Sequence, residues 1–124
     1  MTQDDIFRRY MAANRKVQAV QNEEGQFIPV SVLNTLLGVY LWGGDRGGDP
    51  VNMAEMAKRL DIKPTTLSGH LAYLGERYRT TRTGLGLVEM RLNPANHRNR
   101  YVVPTPAGYR LARELLEAFD DNDA

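Results

Sequence analysis

Near the N-terminus, apolar side chains recur at helical spacing: Ile6, Tyr10, Ala13, Val17 and Val20, with Phe7 and Met11 widening the stripe. Thr2 followed by Asp5 is the pairing that caps a helix start, and "QNEEGQ" ends the helix at or before Gly25. "FIPV" reads as extended chain. Ser31 is then the expected cap of "VLNTLLGVYLW", whose Leu33, Leu36, Leu37, Tyr40 and Leu41 form a broad apolar face. "GGDRGGDP" (Gly43 to Pro50) cannot continue a helix. It lacks a Gly-Lys-Ser/Thr ending and follows a helical pattern, not a strand, so it predicts a flexible loop and no phosphate cradle.

The pattern then shortens. Asn52 is placed to cap a small helix with Met53, Met56, Ala57 and Leu60 on one side. A three-residue break, "DIK", leads to "PTTLSGHLAYLGER", where Pro64 suits a first helical turn. Leu67, Leu71 and Leu74 share one face; Thr65, Thr66, Ser68, Gly69, His70 and Tyr73 lie largely on the other. "RYRTTRTGLG" has no helical stripe and reads as a loop or a first strand. "LVEMRL" and "RYVVPT" alternate as paired strands do, and Pro106 opens a last helix with Tyr109, Leu111, Ala112, Leu115, Leu116 and Phe119 apolar. The fold class expected from this order is mainly α with a small β-ribbon wing, a winged helix-turn-helix. The 124 residues make one domain. Within it, 1–25 is an N-terminal helical arm expected to dimerise, 51–104 the helix-turn-helix plus wing, 105–119 the C-terminal helix and 120–124 a frayed acidic tail.

Composition removes several function classes. There is no cysteine, hence no disulfide, thiolate metal site or cysteine nucleophile. "LLGVYLW" is far shorter than a membrane span, and the start resembles no signal peptide, so a cytoplasmic location is expected. With only two histidines and no acid cluster beside them, neither a metal site nor another cofactor is expected. No nucleophile–base–orienter set is recognisable, which argues against an enzyme.

Charge sharpens the picture. The net charge is only +1, yet residues 58–113 hold eleven Lys/Arg against three acids, while 1–57 hold five against seven and 114–124 hold five acids alone. A basic middle between acidic ends suits a polyanion, although a lopsided solvated surface looks the same in sequence. The helix from Pro64 carries small hydrogen-bonding side chains and no acid before Glu76, as a major-groove helix requires. Lys58 and Lys63 flank it for phosphate, as do Arg77, Arg79 and Arg82. The ribbon tip offers His97, Arg98 and Arg100, with Arg91 behind them. Arginine suits a narrow minor groove, whereas charged hairpin tips are also common without any such role. His70 reads as exposed among polar neighbours, and Trp42 with Tyr40 as core aromatics or the floor of an effector pocket.

These motifs resemble the multiple-antibiotic-resistance regulator (MarR) family of bacterial transcription factors, over Val30 to Leu116. "VNMAEMAKRLDIKPTTLSGHLAYL" is similar to the family's helix-turn-helix. In "GLVEMRLNPANHRNRYVVPTPAGYRLA", Gly86, Leu87, Val88, Arg91, Pro94, Arg98, Val102, Thr105, Pro106 and Gly108 fall in register with its wing and following helix. Asn96 stands where the family has an acidic partner for the wing arginine, and His97 where it has another arginine. The stretch between Leu74 and Gly86 is longer than usual and the C-terminus shorter. The resemblance implies a sequence-specific DNA-binding regulator, a repressor in most such cases. It further implies a homodimer formed through the N- and C-terminal helices, with a small-molecule effector. The rival expectations are a winged-helix protein-interaction or phage/plasmid accessory module, and a low-specificity architectural or replication factor.

Overall fold

Among the described residues, five helices and the β-ribbon before the last of them follow one another in the order the periodicity predicts, and a second small antiparallel ribbon stands after the fourth helix, where a loop or a first strand is expected. The computed structural model describes residues 1–43, 51–79, 82–93 and 96–120, with side chains described except at 77–79, 82 and 96–99. The expected loop at 44–50, the tip residues 94–95 and the tail at 121–124 lie outside the described residues.

Helix α1 (Gln3–Gln18) starts on a full capping box: the Thr2 hydroxyl accepts from the Asp5 amide at 3.1 Å, and the Asp5 carboxylate accepts from the Thr2 amide at 3.1 Å. Of its apolar stripe only Val17 is buried; Ile6, Phe7, Tyr10 and Met11 are exposed. Helix α2 (Val30–Trp42) begins one residue before the expected cap. Pro29 takes the N-cap position, because its fixed φ of −62° and extended ψ deliver the chain directly into the first turn, and Ser31 lies inside the helix. The face that α2 buries is Val32, Leu36 and Val39, while Leu37 and Leu41 remain exposed. The broad apolar face is thus only partly used by this chain.

Helix α3 (Met53–Leu60) and helix α4 (Pro64–Leu74) form the helix-turn-helix. Strand β1 (Arg77–Arg79) pairs antiparallel with β2 (Arg82–Thr83), so the basic stretch after α4, expected as a loop or a first strand, forms a small hairpin. Strand β3 (Val88–Asn93) pairs with β4 (Asn96–Pro104) in the register Val88↔Pro104, Met90↔Val102 and Leu92↔Arg100. Helix α5 (Pro106–Asp120) closes the chain. This is the winged helix-turn-helix fold.

One core ties these parts together: Leu36 and Val39 of α2, Met56 of α3, Leu67 and Leu74 of α4, Val88 of β3 and Val102 of β4 are essentially inaccessible. Helix α5 adds Leu111 and packs mainly along α1, where Tyr10 and Phe119 meet edge to face at 5.7 Å and the Arg9 guanidinium donates to the Phe119 carbonyl. The two aromatics at the end of α2 separate. Tyr40 donates from its hydroxyl to the Gly108 carbonyl at 2.6 Å, whereas Trp42 lies under the Arg59 guanidinium, 5.6 Å from the ring centroid. A cleft of about 230 Å³ is lined by Tyr40 and Tyr109 without Trp42.

Candidate nucleic-acid interface

The geometry of the helix-turn-helix is set by Asn52 and Asp61. Asn52 caps α3 by accepting from the Glu55 amide at 2.8 Å. Asp61 ends it in the left-handed region at φ 56°, which Asp tolerates better than most side chains, and the Ile62 amide donates back to the Ala57 carbonyl at 3.0 Å. Lys63 then stands at the N-cap of α4 with no side-chain capping bond, and Pro64 fills the first turn. The N-terminus of α4 is therefore left open, with the positive end of its dipole uncapped at an exposed surface.

Leu67, Leu71 and Leu74 anchor one side of α4 in the core, so Thr65, Thr66, Ser68 and Gly69 are presented outward. Lys58 and Lys63 are exposed beside them, without an ion-pair partner among the described residues. Two expected members of the face sit differently. Tyr73 is only partly exposed, since its place on the helix packs it against the core. His70 is not the free solvent-facing residue that its polar neighbours predict: it is half-buried, its Nδ1 2.8 Å from the hydroxyl of the buried Thr35 on α2. That burial lowers its pKa from the ordinary 6.5. The helical period places position 70 between the two faces, and Thr35, distant in sequence, turns it inward.

Clefts flank α4 on both sides. One of about 610 Å³ lies between α4 and the α1–α2 link, lined by Asn22, Gln26, Phe27, Thr66, His70 and Tyr73 among others. The link is held by Asn22, whose side-chain oxygen accepts from the amides of Glu24 and Gln26 at 2.9 Å each. The other, of about 650 Å³, lies between α4 and the ribbon, with Leu67, Leu71 and Met90 on its floor and Glu76, Glu89 and Arg100 at its polar positions.

The ribbon stands beside α4 because the chain leaves that helix along its own C-terminal carbonyls. The Leu85, Gly86 and Leu87 amides donate to Tyr73, Gly75 and Leu74, at 3.0, 2.8 and 2.7 Å. A Cβ at Gly84 would sit 2.0 Å from the Gly75 carbonyl oxygen, and Gly86 takes a φ of 69°, which together explain the two glycines of the Gly-Leu-Gly run. On β3, Arg91 binds Glu89 at 2.7 Å, so this arginine is shared with an acid before any partner arrives. Arg100 is exposed on β4 opposite Leu92. The backbone places Arg77, Arg79 and Arg82 on the β1–β2 hairpin at the C-terminal end of α4, and His97 and Arg98 on the tip side of β4; the side chains of these five lie outside the described residues. Sequence patterning missed three features: the Thr35–His70 bond, the Glu89–Arg91 pair, and the exposure of Met90 and Leu92 on the ribbon. The alternation Val88, Met90, Leu92 was the available signal for the last.

No protein-family model and no curated protein matches the chain. Solved structures share its fold. The S. aureus MepR–DNA complex superposes with a TM-score of 0.66 at 19% identity, over 90% of this chain and 76% of that one. A MarR-like transcriptional regulator of Thermotoga maritima gives 0.58 at 24% identity, over 97% and 77%. CouR of Rhodococcus jostii RHA1, bound to p-coumaroyl-CoA, gives 0.58 at 21% identity, over 92% and 66%.

Proposed function

We propose that this chain is a MarR-family transcriptional regulator that binds duplex DNA sequence-specifically as a homodimer. The observation that carries the reading is the outward half of α4: four small or hydroxyl-bearing residues, no acid, an open helix N-terminus and, beside it, two lysines without an ion-pair partner among the described residues. That combination fits a helix entering the major groove, whose width of about 12 Å admits one helix with short polar side chains. The fold is one that MepR has in complex with DNA.

In this reading Thr65, Thr66, Ser68, Gly69 and His70 face base edges, with Tyr73 at the rim. Lys58 and Lys63 bind phosphates, and the hairpin arginines Arg77, Arg79 and Arg82 follow the backbone further along. The ribbon is the wing. Arg98 and Arg100, with His97, reach the minor groove or the backbone, and Arg91 joins them only by exchanging Glu89 for phosphate. Exposed Ile6, Phe7, Tyr10 and Met11 of α1, with Leu116 of α5, supply an apolar surface that a second copy would cover. The work of such a protein is in the cytoplasm and non-enzymatic. A small-molecule effector fits the clefts flanking α4, where occupation would shift the reading helix.

The test is fluorescence anisotropy with the DNA upstream of the chain's own coding region against a scrambled duplex, at two salt concentrations. A preference of roughly a hundredfold with steep salt dependence is expected. Weak, equal binding to both duplexes would leave an architectural protein instead, and no binding even at low salt a protein-interaction module.

A further inference from the structure

Thr35 lies in the middle of α2, 1% exposed, and is the buried polar residue of the described core. Valine would fill that place with the same shape and no hydroxyl to satisfy. The hydroxyl has two neighbours, His70 Nδ1 at 2.8 Å and the Ser31 carbonyl oxygen at 3.5 Å. It has one proton to give. A separation of 2.8 Å is an ordinary strong hydrogen bond, and 3.5 Å is at the limit of one. Two arrangements satisfy this geometry: Thr35 donates to Nδ1 and the neutral ring carries its proton on Nε2, or Nδ1–H donates to Thr35, whose own proton goes to the Ser31 carbonyl.

The surroundings favour a neutral ring. The cleft that His70 lines is formed by Asn22, Gln26, Phe27, Pro29, Val32, Thr65, Thr66, Gly69 and Tyr73, with no carboxylate among them to hold a second proton. Burial pushes the ring toward its neutral form. Nε2 has no partner among the described residues, and the ring shares its cleft with Thr65, Thr66 and Gly69 of the outward face.

We propose that the shorter contact takes the Thr35 proton, so that Thr35 is a positioning residue for DNA recognition that fixes His70 on α4 as a neutral Nε2–H donor to a hydrogen-bond acceptor of the duplex. This rests on the reading of α4 as the groove helix. The acceptor is a base-edge nitrogen or oxygen, or a phosphate oxygen. An aspartate or glutamate could not replace His70 in this role, and neither could a residue that titrates into the donor state only at acid pH.

Two measurements test it. Ring ¹⁵N shifts of the free protein, with H97Q identifying the His70 signals, should show a bare Nδ1 and a protonated Nε2 at neutral pH. T35V should turn this into a mixture of tautomers, and T35S should restore it. Duplexes selected by the wild-type protein from a randomised pool are then bound to T35V, T35S, H70A and the T35V/H70A double variant. T35V should weaken binding roughly threefold to tenfold, the worth of one oriented hydrogen bond. T35S should recover it, and T35V should add nothing once His70 is gone. A loss confined to one base-pair position identifies a base acceptor, and a uniform loss a phosphate. A proton on Nδ1 in the wild type, or a T35V loss undiminished in the H70A background, overturns the proposal and leaves the DNA-binding reading intact. Failure of the wild-type protein to bind any duplex removes both.

Discussion

Thr105 joins three segments through one side chain and one amide. Its hydroxyl donates to the Gly86 carbonyl at 2.6 Å and accepts from the Gly108 amide at 3.1 Å, while its own amide donates to the Leu87 carbonyl at 3.0 Å. The threonine of "TPAG" is thus the cap of α5 and the clamp on the turn that launches the ribbon. Thr105→Ala should cost about 1–2 kcal/mol, read as a lower urea midpoint with unchanged slope, and Thr105→Ser should recover most of it. Gly108 is needed for space: a Cβ there would lie 2.1 Å from the Leu87 carbonyl oxygen. Gly108→Ala should therefore destabilise by about 1–3 kcal/mol in the same assay, with α5 displaced from the ribbon. His70 gives stability a pH dependence whose sign follows from its lowered pKa. As pH falls below the ordinary value of 6.5, the unfolded chain takes up the proton first. Stability from this site is complete above that value and declines as pH drops through the lower folded value. Urea midpoints measured on either side of the window should differ more in wild type than in His70→Gln; equal differences would remove His70 as the cause.

At the scale of elements, α4 divides its work between an apolar anchor and a polar outward half. Leu74 is fully buried in the shared core, and Leu74→Ala should cost about 2–5 kcal/mol and loosen α4 and the ribbon together. Substitutions on the outward half should leave stability nearly unchanged and move DNA binding in two separable ways. Lys63→Ala should weaken binding equally for all sequences and lower the salt slope by about one unit, because in the proposed reading it removes one phosphate contact. Thr66→Ala or Ser68→Ala should instead change which sequences are selected. Arg98→Ala should weaken binding if the ribbon is a wing; unchanged affinity would remove the wing from the interface. The elements themselves were legible in sequence because leucines at period 3.6 and alternation in "LVEMRL" and "RYVV" are local signals. The start of α2 was less so. A proline with extended ψ and a serine two residues later are both plausible helix starts, and the packing of Ile28 and Val32 fixed the earlier one.

For the whole molecule, the open question in the sequence was which apolar stripes face inward. Helix α1 buries Val17 alone and leaves Phe7 56% exposed, and α5 leaves Leu116 66% exposed. Apolar surface of that kind, on two helices that pack along each other, is the proposed contact with a second copy. Phe7→Glu combined with Leu116→Glu should yield a monomer by sedimentation and weaken binding to a two-half-site duplex far more than to a single half-site. A variant that stays dimeric would place the contact elsewhere. Charge is distributed at this scale too. The basic stretch 58–113 runs from the last turn of α3 through α4 and the ribbons into α5, so the positive field is concentrated there while the acids lie mostly in the segments on either side.

What the sequence determined by itself is whatever depends on residues close along the chain. The order of helices and strands, the caps at Thr2 and Asn52, the three-residue turn and the core-facing leucines of α4 belong here, since period and capping chemistry act over a few residues. The tertiary structure decided what depends on residues brought together from afar. It set Trp42 against Arg59 and turned His70 inward to Thr35. No local pattern encodes these, because each is settled by the distance and burial of a partner on the far side of a fold, and those exist only once the core has closed.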